Sequence, residues 1–187
     1  MNSLAKSITK IVSRDFQNLV LREITVLDME NLRCWKNNNR KAFFYQEEIL
    51  PEQQDKWFKG YLDRPYDYMF IVEENVDIAS ESFEHAIGCM GFRVEEGQTI
   101  DIYNVIRGEA SRTQVTMRDA MQVMLRYAAD TFPESRIKCD VLKDNSAVEW
   151  YKKCGLAIWE EREYYIMGIY KESIPGMLIT VVSEERS

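Results

Sequence analysis

The chain has 187 residues and a net charge of −7, and its 45% hydrophobic and 12% aromatic content suffices for one sizeable core. That balance excludes a disordered chain and disfavours a nucleic-acid backbone or an anionic membrane as partner. No apolar run reaches membrane-spanning length, and the polar start MNSLAKSITKIVSRD lacks a signal-peptide core, so a cytoplasmic location is expected.

In chain order, residues 1–18 carry a weak helical pattern (Leu4, Ile8, Ile11, Val12) that reads as an N-terminal arm or a surface helix. Residues 19–25 read as a strand. Asp28 is placed to cap the helix MENLRCWKNN, with Met29, Leu32 and Trp35 on one face. The aromatic stretch RKAFFYQEEIL leads to Pro51, which opens PEQQDKWFKGYLD with Gln54, Trp57, Phe58 and Tyr61 at helical spacing. A short apolar strand YMFIV follows, then a polar turn ENVDIASESFEH, then two strands, AIGCMGFRV and TIDIYNVI, joined as a hairpin. MRDAMQVMLRYAADTF is a strongly amphipathic helix ended by Pro133, with Met117, Ala120, Met121, Met124, Leu125 and Ala128 on one side. RIKCDVL is a strand, NSAVEWYKKC a helix, and LAIWEEREYYIMGIY one or two strands. The tail from Lys171 adds a short strand, LITVV. The order β-α-α-β-β-β-α-β-α-β predicts a mixed, mostly antiparallel sheet with helices on both faces. A main domain over 19–170 and a C-terminal extension over 171–187 are expected.

The four cysteines form no CxxC, and with a single histidine, His85, no metal site is expected. His85, at a predicted loop end, reads as a surface residue. The segment KDNSAVEWYKKCG admits a purely structural reading. Ala147, Trp150, Tyr151 and Cys154 form a packing stripe, Ser146 and Glu149 spell a capping box, and Gly155 supplies a left-handed stop.

With the preceding strand meander, the series Asn145, Ala147, Tyr151 and Gly155 before a last strand resembles the GNAT superfamily of acetyl-coenzyme A-dependent N-acetyltransferases. The resemblance runs from about residue 21 to residue 170. It implies acetyl-CoA as co-substrate, Tyr151 as the acid that protonates the departing thiolate, and Asn145 beside the pantetheine arm. It also implies a strand gap in which backbone amides at Asn104 and Val105 face the thioester carbonyl. Asp101 and Tyr103, on one face of that strand, are candidates to receive the amine proton; Asp101 can equally be the partner of a lysine.

In that family a loop Q/R-x-x-G-x-G/A cradles the cofactor pyrophosphate at a helix N-terminus. Here Arg112 takes its first position, and Val115 and Met117 stand in place of the glycines, where a β-carbon hinders close approach to phosphate. Arg107, Arg112 and Arg118 supply charge, Ser111, Thr113, Gln114 and Thr116 supply donors, and Glu109 opposes them.

The front half resembles the branch that acetylates nucleotide-linked amino sugars, on Trp35-Lys36-Asn37 (lysine where arginine is usual), on Gln54, Trp57 and Phe58, and on residues 103–108. Asn37, Arg40, Phe44 and Tyr45 are the candidate substrate contacts: amide for hydroxyls, guanidinium for phosphate, rings for a base. The partner expected is a small primary amine, and a homodimer is compatible with the resemblance. Two alternatives stay open: a GNAT-fold regulatory module without acetyl transfer, and an acetyltransferase of protein N-termini.

Overall fold

Along β3 (Asp67–Ile78), Phe70 and Val72 point to one face and Met69 and Ile71 to the other, and all four are buried. A strand apolar on both faces lies inside a sheet covered on both sides. The computed structural model describes residues 8–78, 81–96 and 98–184. These form β1 (Ile8–Ser13), β2 (Leu19–Glu23), α1 (Met29–Asn38), α2 (Pro51–Leu62), β3, β4 (Glu81–Glu95), β5 (Thr99–Arg107), α3 (Met117–Thr131), β6 (Arg136–Leu142), α4 (Ala147–Lys153), β7 (Ala157–Glu161), β8 (Tyr164–Ile169) and β9 (Ile179–Glu184). The strands make one sheet in the order β7-β8-β6-β5-β4-β3-β2-β1-β9. Among the described residues, only β5 and β6 are parallel neighbours.

One core cluster joins α3 and α4 to the sheet through Met121, Met124, Leu125, Val148 and Tyr151. The other joins α1 and α2 through Met29, Leu32, Trp35, Phe58 and Tyr61. The stripes read from the sequence are therefore the faces that bury. Pro51 stands in the first turn of α2, and Gly155, at φ +95°, takes the left-handed turn after α4.

Four expectations change. Residues 8–13, read as an arm or surface helix, form β1, paired with β2 and β9; Ile11 is fully buried on the α3 face. Leu4 lies outside the described residues. The polar stretch 74–85 is not a loop: β3 and β4 continue as a long hairpin with Ile78 opposite Glu81. His85 consequently sits inside β4, with Nε2 3.1 Å from the carbonyl of Ala110. Asp28 does not cap α1 with its side chain. Its carboxylate accepts from the Thr25 N–H at 2.6 Å and from Arg22 at 2.9 Å. Finally, Ser146 makes no side-chain cap; Asn145 Oδ1 accepts from the Ala147 N–H at 2.8 Å instead, and Glu149 pairs with Lys152.

Candidate active site

β5 and β6 pair only from Thr99 opposite Arg136 to Asp101 opposite Lys138. Beyond this they part, because β6 stays with β8 through Leu142 while β5 follows β4 to Arg107. From Ile102 onward the β6-facing edge of β5 has no strand partner among the described residues, so its amides line a gap. Asn104, at φ +50°, lies within a bulge at Met90, where the register with β4 shifts by one residue. Val105 thereby joins the α3/α4 core, and Ile106 the α1/α2 core. A cavity of about 460 Å³ occupies the gap, lined by Asp101, Tyr103, Asn104, Val105, Arg107, Asn145 and Tyr151.

Tyr151 reaches the gap from the buried face of α4. Val148 and Cys154 anchor the helix, and the Trp150 ring stands edge-on to Tyr151. Burial, reinforced by Cys139, Cys154 and Asp101 nearby, raises the phenol well above its ordinary value and keeps it protonated. Its hydroxyl has no hydrogen-bond partner among the described residues. Asn145 spends both ends of its amide, accepting from Ala147 and donating to Ala42 O at 3.0 Å. It ties the aromatic stretch to α4.

The two strand candidates for a base differ. Tyr103 donates its hydroxyl to the fully buried Asp67, which also takes Arg64 at 2.7 Å and Arg93 at 3.4 Å. Desolvation and that carboxylate raise the phenol well above its usual value, so Tyr103 is a committed donor. Asp101 pairs with Lys138 at 3.2 Å, as the lysine-partner reading anticipates, and burial raises its carboxyl despite that charge.

A second cavity, about 300 Å³, lies on the α1/α2 side and shares Lys36, Tyr45, Asn104 and Ile106 with the gap. Leu32, Ile49, Gln53, Gln54, Trp57, Met69 and Cys89 complete it, with no carboxylate among them. Lys36 donates to Asn104 Oδ1 at 2.6 Å and lies 3.2 Å from the centroid of the Phe43 ring. Desolvation lowers its ammonium to about 8. The sequence marked Lys36 only as an arginine replacement; its importance comes from packing between two cavities.

Of the substrate candidates, Phe44 and Tyr45 line these cavities, half exposed, with Phe44 edge-on to Tyr164 at 5.4 Å. Asn37 is spent on the backbone of Ile49, donating at 3.0 Å and accepting at 2.8 Å. Arg40 is exposed and lines neither cavity. The structure therefore brings two of the four together with the gap.

A third cavity, about 560 Å³, continues from Tyr151 and Val105 past Arg107 to the loop before α3, lined by Thr113, Val115, Thr116, Met117 and Arg118. Arg112 is not among its walls; its guanidinium stacks 5.6 Å from Phe83. The loop's donors are largely used internally. Glu74 accepts from the Arg112 N–H at 2.5 Å, the Thr113 N–H at 3.0 Å, Thr113 Oγ1 at 2.5 Å and Ser111 Oγ at 2.7 Å. Asp119 accepts from the Thr116 N–H at 3.0 Å in a reciprocal cap. The N–H groups of Gln114, Met117 and Arg118 have no acceptor among the described residues. Glu109, also in this wall, takes the Trp35 indole at 3.4 Å, and Trp35 packs so closely on Gly108 that a β-carbon there would meet the ring at 2.1 Å.

A mixed sheet splayed between β5 and β6, with a buried phenol at the split, thus joins three neighbouring cavities. Residues 18–157 match the family model described as an acetyltransferase (GNAT) domain, and the chain belongs to that family. It is similar in structure to a GNAT-family acetyltransferase from Bacillus anthracis (15% identity, 87% of this chain and 99% of that one, TM-score 0.65). It is also similar to spermidine N-acetyltransferase from Vibrio cholerae in complex with CoA and spermine (15% identity, 89% and 96%, TM-score 0.60). A third likeness is to apo FdhC, a nucleotide-linked sugar GNAT (20% identity, 83% and 88%, TM-score 0.62). At these identities the likenesses establish the fold. No curated protein matches in sequence.

The enzyme is accordingly an acetyl-CoA-dependent N-acetyltransferase. The residues fit that co-substrate at its thioester end, through an unpaired strand edge and an unpartnered buried phenol. At its phosphate end Arg107, Arg118 and the three open N–H groups offer positive charge. No helix is long and apolar enough to cross a membrane, and no metal-ligand cluster occurs among the described residues.

Proposed function

We propose that the protein moves the acetyl group directly to the primary amine of a nucleotide-linked amino sugar, with Tyr151 as general acid. The observation that carries this reading is the unpartnered, protonated Tyr151 hydroxyl in the gap, one cavity away from a chamber sized for a small acceptor. Acetyl-CoA supplies the acetyl group as an activated thioester. The free edge of β5 at Asn104 and Val105 offers amides to the carbonyl oxygen. As the C–N bond forms and the C–S bond breaks, Tyr151 Oη passes its proton to the departing sulfur. The amine proton leaves through Asp101, directly or by water, since the hydroxyl of Tyr103 is committed to Asp67.

Lys36 supports the acceptor class. A desolvated cation in a chamber without carboxylates penalises an ammonium there, so the acceptor enters as the free amine. A polyamine brings further positive charges and no wall residue to neutralise them, whereas an anionic or hydroxylated acceptor finds Lys36, Gln53 and Gln54. The half-exposed Phe44 and Tyr45 suit a flat base at the mouth. The likeness to FdhC points the same way.

The test is CoA-thiol release with a panel of a nucleotide-linked amino sugar, spermidine and a peptide amino terminus. The expected result is a kcat/KM about 100-fold higher for the sugar than for spermidine, the size of an uncompensated like-charge contact. Spermidine or the peptide turning over faster would sink the amino-sugar assignment.

A further inference from the structure

Glu74 is fully buried, far in sequence from the loop it serves, and outside the cavity wall. The alternation of β3 continues unbroken past the point where β4 carries an extra residue, Ile87, so the two consecutive glutamates face opposite sides of the sheet. Glu73 binds Arg22 at 2.7 Å beside Asp28, under the α1 side. Glu74 turns to the other face and clasps residues 111–113 with four hydrogen bonds. A buried carboxylate is tolerated only when its oxygens are satisfied, and bonds to a charged acceptor are the strong kind. Burial pushes the Glu74 carboxyl up, but its bonds from Arg112, Ser111 and Thr113 outweigh that and hold it below its ordinary value. The clasp is thus ionised at neutral pH.

The family's usual loop keeps its shape with glycines, which Val115 and Met117 replace here. We propose that Glu74 is a positioning residue for the donor loop: its carboxylate fixes the Arg112 and Thr113 amides. This leaves Gln114, Met117 and Arg118, with the Arg107 and Arg118 side chains, to meet the donor's diphosphate. The proposal rests on the acetyl-CoA reading of this cleft. It moves recognition of the diphosphate one stretch along the chain, from the start of the loop to the first turn of α3.

Calorimetry with CoA and with pantetheine, which lacks the phosphates, separates this role from general stability. In Glu74→Gln an amide nitrogen would face an N–H it cannot accept. CoA binding is expected to weaken about tenfold with pantetheine binding within about twofold, and the KM for acetyl-CoA to rise with kcat nearly constant. Glu73→Gln, which breaks the neighbouring buried ion pair, is expected to lower stability and leave the CoA-to-pantetheine ratio unchanged. Equal losses for both ligands, or tighter CoA binding in Glu74→Gln, would overturn the proposal. In the wild-type protein, hydrogen exchange gives a check that needs no variant. The Arg112 and Thr113 amides are expected to exchange slowly without ligand and to change little on adding CoA, while those of Gln114, Met117 and Arg118 slow down. Fast exchange at 112 and 113 that slows only with CoA overturns the role of Glu74 alone; wild-type protein that binds no CoA overturns the donor reading as well.

Discussion

The gap beside Tyr151 and the loop before α3 are built on opposite plans. At the gap between β5 and β6, the β5 edge and the Tyr151 hydroxyl are left without partners among the described residues. At the loop before α3, most donors are already spent on Glu74 and Asp119. A group that must change partners during a reaction is best kept free of internal ones, because an internal bond has to be broken first. A group that only holds a ligand can be prearranged by an internal anion. The gap is open and the loop is pretied, which under the proposed function makes the first the reacting end and the second the holding end.

This contrast can be broken in order of expected effect. Tyr151→Phe removes the free hydroxyl while keeping the ring, so kcat is expected to fall about 10²- to 10⁴-fold with CoA affinity within about twofold in calorimetry. An unchanged kcat would mean that the open end is not where the proton moves. Asn145→Ala unties residue 42 from α4 and removes a helix cap. The acceptor KM is expected to rise about tenfold and stability to fall by about 1 kcal/mol, read by steady-state kinetics and urea unfolding. A change in CoA affinity instead would place Asn145 with the holding end.

The smallest effect is a pH slope. Lys36 in the folded chain titrates near 8, below an ordinary lysine at about 10.4. Between these values the unfolded chain holds a proton that the folded one has released, so stability rises with pH through that window and the full penalty applies below it. Comparison of wild type with Lys36→Met by urea unfolding at pH 7 and 9.5 should show a differential of order 1–2 kcal/mol. A flat difference would mean that the Phe43 ring and Asn104 compensate the burial.

The helices and most strands were legible because each carries its own period. The stripe from Met117 to Ala128 needs no knowledge of its partner to be recognised as a buried face. Tyr151 stood out only through the family resemblance, carried by Asn145, Gly155 and the element order around them, and it lines the gap. What escaped was polar chemistry with distant partners. Glu73 and Glu74 look like turn residues until Arg22 and the loop at 111–113 close on them. Lys36 looks like a surface charge until Asn104, far along the chain, supplies its acceptor. Asn37 showed the reverse, an amide suited to a sugar that is consumed by Ile49. β1 was missed because Ile8, Ile11 and Val12 fall at a helical spacing and not an alternating one, and only its pairing with β2 and β9 makes it a strand.

The bulge at Asn104 sets the parity of the strand that separates the two chambers. Before it, even-numbered side chains (Ile100, Ile102) belong to the α3/α4 face; after it the odd-numbered Val105 does, and Ile106 crosses to the α1/α2 face. One extra residue therefore acts as a half-step in the sheet's rhythm, and removing it would exchange the two faces over the last residues of the strand. The division of labour across this protein is counted out by a single asparagine.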